Sequence, residues 1–487
     1  MLPNELIPED LRDALADVLA LLGDEVLPLD KFEQSLMKRL MQFGREIMRR
    51  RLEALSPSGA FVEDGVKWTV ALHSRRDVMT SFGMVTAERP LFRDTRSGPT
   101  RCVMGERAGL VNGLWTPRAA KVASLAVAEM PMAQAEAFFA EVGTMTPSRS
   151  SMLRLVGALG DLWEADRANH EETVRNAQQI PQDAATVVVS LDGVMVTLVG
   201  SEKAAIKAAA RANGRPDKGP AGFCEASVGI IAFYDGDGER LATRRYARMP
   251  EENKATTKDW LRAELTYIRK NRPSLTTMVI ADGAANNWTF LETLGADVEL
   301  VDFYHTAEHL HRHVSKAMGA ATLDTQKTVR DMRHQLLKTK GSAAKIFADM
   351  KALREEAAAR ARTAAAHPDS ANVDATAAGI SSSDEARAPA PTKRKGKKTS
   401  HQPDYFARHH GRMDYPDARA RHLPIGSGVT ESTCKLAVCD RMRRTGMRWT
   451  ERGGQAVMTL RAHRISGSFD IAWRALMAAN VQRLLAA

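Results

Sequence analysis

Two aspartates stand on strongly hydrophobic, β-forming runs: Asp192 follows Thr186 to Leu191, and Asp282 follows Met278-Val279-Ile280-Ala281. Carboxylate oxygens are what hard divalent cations require, and Mg²⁺ is typically held by one or two of them together with substrate phosphates. Paired ions at such a site activate an attacking oxygen and stabilise a leaving one in phosphodiester chemistry. If the two strands are neighbours in one sheet, both carboxylates emerge at the same sheet edge. The glycines that follow, Gly193 and Gly283, leave room for close approach of backbone or ligand. The competing reading is turn chemistry, because Asp-Gly after a strand is a common turn start. A third acid, Glu431, closes the run Ile425-Gly426-Ser427-Gly428-Val429-Thr430-Glu431, just inside a predicted helix and ahead of a basic segment.

The elements that must position these acids follow from local patterning. TVVVSLDGVMVTLV from Thr186 is nearly continuous β-former. Ala226 to Tyr234 and Glu239 to Tyr246 read as a hairpin closed by Asp235-Gly236-Asp237-Gly238. An amphipathic helix over Trp260 to Lys270, a strand over Thr276 to Ala281, a helix over Asn286 to Leu294 and a strand over Val298 to Phe303 complete the unit. The expectation is a mixed sheet with helices on its faces, an α/β core spanning residues 181–305. Residues 306–368 read as a helical insertion and 369–400 as an Ala/Ser/Pro-rich disordered tether. The tether ends in a basic cluster containing Lys393, Arg394 and Lys395, which either tracks phosphates or only solubilises the chain. The chain returns to the core over 401–422, and helices are predicted from Val429 to Met442, Gly454 to His463 and Phe469 to Leu485. Ahead of the core lie a helical region (1–56), a segment of short strands and turns (57–116) and a helical region (117–180). In the last, a helix, the turn Gly143 to Pro147 and a helix starting Ser148-Arg149-Ser150-Ser151 are compatible with a helix-turn-helix DNA reader carrying Arg149. Plain helical packing is the alternative.

The chain has 487 residues, enough for two to four domains, and 44% of them are hydrophobic. No stretch approaches a membrane span, the acidic start lacks the layout of a signal peptide, and four cysteines have no paired spacing. A reduced, cytoplasmic protein is expected. The formal charge of +10 is uneven: from Arg387 onward there are 20 Lys/Arg against 7 Asp/Glu, so this fifth carries +13. Such a distribution points to a localised polyanion surface. Arg441, Arg443, Arg444 and Arg448 are suited to phosphate positioning, or form a solvated face. Lys435, one turn beyond Glu431, either contacts a phosphate or pairs with Glu431. Trp288 either stacks on a flipped base or belongs to the core. His305, His309 and His313 share one helical face, but no further ligand completes a zinc site convincingly.

The segment LPIGSGVTESTCKLAVCDRMRRTGMRWTERGGQAVMTLRA (Leu423 to Ala462) resembles the C-terminal signature of bacterial DDE transposases of the ISKra4 type, distantly similar to the IS256/mutator group. LDG (Leu191 to Gly193), ADGAANNW (Ala281 to Trp288) and VDFYHTAEHL (Val301 to Leu310) resemble that family's other landmarks. The likeness covers about Thr186 to His313 and Gln402 to Phe469, and more loosely residues 117–165. It implies a ribonuclease-H-like (retroviral-integrase-like) core interrupted by a helical insertion before its last acid. It also implies a catalytic triad of Asp192, Asp282 and Glu431 acting through Mg²⁺ or Mn²⁺, two ions per site. Asp302 and His305 correspond to an Asp-x-x-His element of the wider group. Implied partners are double-stranded DNA, as transposon ends and target, and further copies of the chain. Relatives often carry a CxxC zinc element near the N-terminal region, whereas here only Cys102 lies in that interval, so no zinc module is expected. A domesticated nuclease and a non-catalytic DNA-binding protein are the alternatives.

Overall fold

The computed structural model describes residues 8–23, 27–95, 98–199, 212, 223–319, 322–366 and 405–486. Its centre is a five-stranded sheet of β4 (Thr186–Thr197), β5 (Phe223–Tyr234), β6 (Arg240–Arg248), β7 (Thr276–Ala281) and β8 (Val298–Val301), in the order β6-β5-β4-β7-β8. Strands β4, β5 and β6 form an antiparallel meander, and β7 and β8 run parallel to β4. Parallel strands need crossovers, supplied before and after β7 by two helices, Ala255–Asn271 and Ala285–Leu291. The first half of β4 is buried residue after residue, as befits a strand covered on both faces. The fold is mixed α/β.

The sheet shares one core with the helical insertion. Leu310 and Val314, Val329 and Leu336, and Ile346 and Met350 join Val188, Val279 and Leu300 in that cluster. In chain order the helices are α1 (Glu9–Leu19), α2 (Leu29–Glu53), α3 (Val103–Arg107), α4 (Pro117–Glu129), α5 (Met132–Val142), α6 (Arg149–Ala165) and α7 (Arg167–Ala177). The two crossover helices are α8 (Ala255–Asn271) and α9 (Ala285–Leu291), followed by α10 (Phe303–Met318), α11 (Leu323–Lys338) and α12 (Ser342–Ala366). After the tether come α13 (Tyr405–His409), α14 (Tyr415–Ala420), α15 (Gly428–Thr433), α16 (Glu451–Ile465) and α17 (Phe469–Leu485). The predicted tether, with Lys393, Arg394 and Lys395, lies outside the described residues.

Helix α6, ahead of the sheet, packs against the C-terminal helices. Met152, Leu155, Leu159 and Trp163 of α6 pack with Ala456, Val457 and Leu460 of α16 and with Trp473 of α17 in a second core. The fit is close at Gly160, where a Cβ would come 2.5 Å from that of Ala456. Ser148 caps α6 by accepting from the Ser151 N–H at 3.2 Å, as the Thr-Pro-Ser start predicted. The expected short strands of 57–116 are instead β1 (Phe61–Glu63) and one long hairpin, β2 (Val66–Thr80) with β3 (Gly83–Arg93). Its alternation is clear only near the turn, where Val78, Val85 and Ala87 pack on Leu52 of α2.

Candidate metal centre

The sheet brings three aspartates to one edge. β4 pairs with β7 from Thr186 opposite Thr276 to Val189 opposite Val279, short of Asp192 and Asp282, whose charges act on one another. β7 pairs with β8 up to Ala281 opposite Val301, and the Asp302 N–H then donates to the Ala281 carbonyl at 2.9 Å, placing Asp302 level with Asp282. Equivalent positions on parallel neighbours share a face, about 5 Å apart. The turn alternative fails for Asp192: it lies inside β4, opposite Val228 in an unbroken antiparallel register.

The run from Ile425 to Glu431 docks on the end of β8. The Phe303 N–H donates to the Ile425 carbonyl at 2.9 Å. Asp302 Oδ2 accepts from both the backbone N–H and the hydroxyl of Ser427, the latter at 2.7 Å. Gly426 is required by space, because a Cβ there would meet the Tyr304 ring at 2.7 Å. This docking starts α15 where its first turn carries Glu431 to the carboxylates. Asp302 also caps α10, its Oδ1 accepting from the His305 N–H at 2.8 Å.

Asp302, His305 and Glu431 each present a donor atom, all within 4.8 Å of one another. His305 Nδ1 stands 3.4 Å from Asp302 Oδ1 and 3.7 Å from Glu431 Oε1, an ion-pair arrangement when the ring is protonated. With the ring neutral, an imidazole nitrogen between two carboxylate oxygens suits a divalent cation. The set of one imidazole and two carboxylates suits Mn²⁺ or Zn²⁺ as readily as the all-oxygen preference of Mg²⁺. The Ser427 hydroxyl has one proton; its 2.7 Å contact with Asp302 competes with the 3.4 Å contact with Glu431. Glu431 is 54% exposed, open to a ligand from solvent.

Charge balance around the group is set by geometry. The Asp302 carboxylate beside it raises the His305 imidazole to about 9 against the opposing effect of burial, and Glu431 and Asp282 add to the rise. Burial opposes ionisation of Asp302, but hydrogen bonds from His305 and Ser427 outweigh it and hold this carboxyl at about 2. Burial pushes Asp192 above its ordinary value; the Gly193 N–H counters this and the Asp282 charge reinforces it. Asp192 Oδ2 accepts from Cys434 Sγ at 3.5 Å, one turn beyond Glu431, in a π-helical continuation of α15 (Cys434–Cys439).

Supporting residues come from α8 and α9. Buried Asn287 donates to the Leu191 carbonyl at 3.1 Å and to Asp282 Oδ1 at 3.5 Å, tying the two strands together beside their acids. Lys254 Nζ bonds Asn287 Oδ1 at 3.1 Å and Glu225 Oε1 at 3.2 Å, and its charge reaches Asp192. Asn253 and Lys254 both have left-handed backbones with φ of 55°, a strain of about 1–3 kcal/mol each. Neither had been singled out in the sequence, since nothing in their spacing marks a lysine that turns back toward β4. Gly283 is fixed by the Tyr405 ring, which occupies the space a Cβ would need.

Several expected DNA contacts are spent elsewhere. Trp288 is 2% exposed, donates to the Asp282 carbonyl at 2.6 Å and is covered by the Arg412 guanidinium. It is a core residue and not a base-stacking one. Arg441 is 1% exposed, donates to the Val127 carbonyl at 2.8 Å and lies against Trp449; burial, with Arg461 and Arg444 nearby, lowers it to about 10. It joins α15 to α4 and does not reach solvent. Arg149 is exposed but pairs with Glu136 at 2.6 Å, bracing α6 against α5. Arg444 bonds Gln134 at 2.9 Å, and Arg443 reaches Cys439 Sγ at 3.8 Å. Lys435, Arg443, Arg444 and Arg448 are exposed. The histidine stripe divides: His305 joins the acids, His309 stacks on Tyr405 with centroids 3.9 Å apart, and His313 contacts Arg354.

No family model matches the chain, and no curated protein matches it significantly. Among the described residues, no helix is long and apolar enough to cross a membrane.

Proposed function

We propose that this chain is a DDE-type DNA transposase, a metal-dependent enzyme that cuts phosphodiesters at the ends of a DNA element and joins the freed 3′-hydroxyl to target DNA. The observation that carries the reading is the convergence of four carboxylates. Asp192 lies on β4, Asp282 and Asp302 directly follow its parallel neighbours β7 and β8, and Glu431 arrives from a helix beyond the insertion to join Asp302 and His305. A concentration of acid beside a basic surface gains nothing from DNA binding alone; it suits a centre that places cations between protein and phosphate. The antiparallel meander followed by two parallel strands supports the ribonuclease-H-like assignment, and the helices between β8 and α15 correspond to its insertion.

In this reading Asp192, Asp282 and Glu431 hold Mg²⁺ or Mn²⁺, two ions per site, with Asp302 and His305 completing the ligand set beside Glu431. Bound there, the cations supply a hydroxide-like nucleophile and neutralise charge on the leaving oxygen. Asn287 and Lys254 hold Asp282 and Asp192 in register. Ser427 orients Asp302, and His305, once neutral, would offer its imidazole to a bound cation. Hydrolysis forms one P–O bond to water oxygen and breaks the bond to the 3′-oxygen; in the joining step the 3′-hydroxyl replaces water. Lys435, Arg443, Arg444 and Arg448, on and just after α15, supply charge for backbone phosphates of double-stranded DNA. Two DNA ends require two sites, so the active form is at least a dimer.

The test is strand cleavage of labelled DNA by the full chain with Mg²⁺ or Mn²⁺. Wild-type cleavage that disappears in chelator and in Asp192→Asn supports the reading. Cleavage that survives Asp192→Asn at the wild-type rate contradicts it.

A further inference from the structure

Beside Asp282 and His305 an open pocket of about 540 Å³ extends away from the carboxylates. Three guanidiniums from three elements line it: Arg312 of α10, Arg354 of α12 and Arg408 of α13. Among the described residues, Asp282 is the one acid in its lining. Arg354 is engaged with His313, whereas Arg312 and Arg408 are exposed and, among the described residues, pair with no carboxylate. The floor is rigid: Tyr405 stacks on His309, fills the space over Gly283 and bonds Thr306 through its hydroxyl at 3.1 Å. The pocket therefore joins Asp282 and His305 of the metal centre to arginines set apart from them, Arg312 lying about two turns of α10 beyond His305.

We propose that this pocket holds the backbone of a single nucleic-acid strand next to the reacting phosphate, with Arg312 and Arg408 contacting its phosphodiesters. This rests on the function proposed above and adds a binding role for the insertion helices. A phosphate lodged against Asp282 is repelled unless a cation intervenes, so the reacting phosphate belongs at the metal centre and its neighbour at the arginines. The opening is too wide to enclose one free phosphate, and guanidiniums on separate elements suit successive phosphates along a strand.

The experiment measures binding of a fluorescent single-stranded oligonucleotide to the full chain in chelator, by anisotropy across a salt series. Arg312→Gln with Arg408→Gln is compared with wild type and with Arg262→Gln/Arg360→Gln, two arginines in ion pairs with residues of their own helices. Thermal melting confirms that each variant is folded. Losing two phosphate contacts lowers the slope of log K against log salt by about 1.4, at about 0.7 per contact on a single strand; the control variant keeps the wild-type slope. An unchanged slope in the double variant overturns the inference. So does loss of inorganic pyrophosphate binding with oligonucleotide binding intact, which assigns the pocket to a free phosphate. Cleavage by wild type with an unchanged slope removes this pocket and leaves the enzyme reading. A reduced slope without cleavage under any metal does the reverse.

Discussion

The acids on the central sheet and the arginines beyond α15 are both charged sets, yet the fold uses them in opposite ways. Asp192 on β4 and Asp282 and Asp302 just past the ends of β7 and β8 gather at one edge of the sheet, where the Asp282 charge bears on Asp192 while His305 and Ser427 compensate Asp302. Arg441 lies only ten residues beyond Glu431 and is turned inward to bond the Val127 carbonyl, while Arg448 stays in solvent. A strand has two faces and a register, so an acid on it has few places to go. A helix residue can face solvent, a neighbouring helix or a carbonyl, and the long arginine stem packs well in each. Charge therefore marks function more reliably on the sheet than on the helices.

The largest effect that separates the two sets is on chemistry. Asp282→Asn, isosteric and uncharged, is expected to lower metal-dependent cleavage by a factor on the order of a thousand or more, about 4 kcal/mol of barrier. Its melting temperature stays at or above that of wild type in chelator, because one repulsion is removed; a lower one breaks the claim that these acids are held against their own charge. Next, Arg441→Ala costs about 3 kcal/mol in denaturant unfolding through lost packing and an unsatisfied Val127 carbonyl. Arg441→Met loses much less, since the buried charge has no carboxylate partner to leave behind. If Arg441→Met abolishes DNA binding with stability intact, the inward assignment is wrong.

Asp302 gives a smaller, pH-dependent effect. Its carboxyl is held at about 2 in the folded chain, well below the usual carboxylate range, so the folded state binds fewer protons in that window and stability rises with pH. The contribution, about 2 kcal/mol, is present above about pH 4 and is lost as pH falls toward 2. Asp302→Asn, without metal, should flatten that part of the acid unfolding curve. An equal acid slope in both proteins removes the link between Asp302 and Ser427. Smallest of all, Arg448→Ala leaves stability within about 0.5 kcal/mol and lowers the salt dependence of duplex binding by about one contact.

The five strands were legible because their apolar runs are short, dense and separated by turn residues; β7 and α17 carry the predicted bounds. The gathering of aspartates at one edge was legible only in part. The Asp-Gly after each run suggested a shared edge, but the offset between strands is a tertiary fact. The group of Asp302, His305 and Glu431 rests on hydrogen bonds across the insertion, from Asp302 to Ser427, which no local pattern encodes. The likeness of VDFYHTAEHL to a family landmark flagged two of its members. Lys254 and the cationic pocket left no local trace, since their residues come from elements far apart in sequence. Arg441 misled because residue type does not say which way a side chain faces, whereas the apolar residues after Trp288 already offered the core as its place.

The most direct test of the central claim is Mn²⁺ titration of the full chain by calorimetry, for wild type, Glu431→Gln and Asp302→Asn. Saturable Mn²⁺ binding in wild type, weakened at least tenfold in each variant with melting temperatures preserved, is the result predicted here. Identical Mn²⁺ binding by all three proteins would contradict the assignment of these carboxylates to a metal centre.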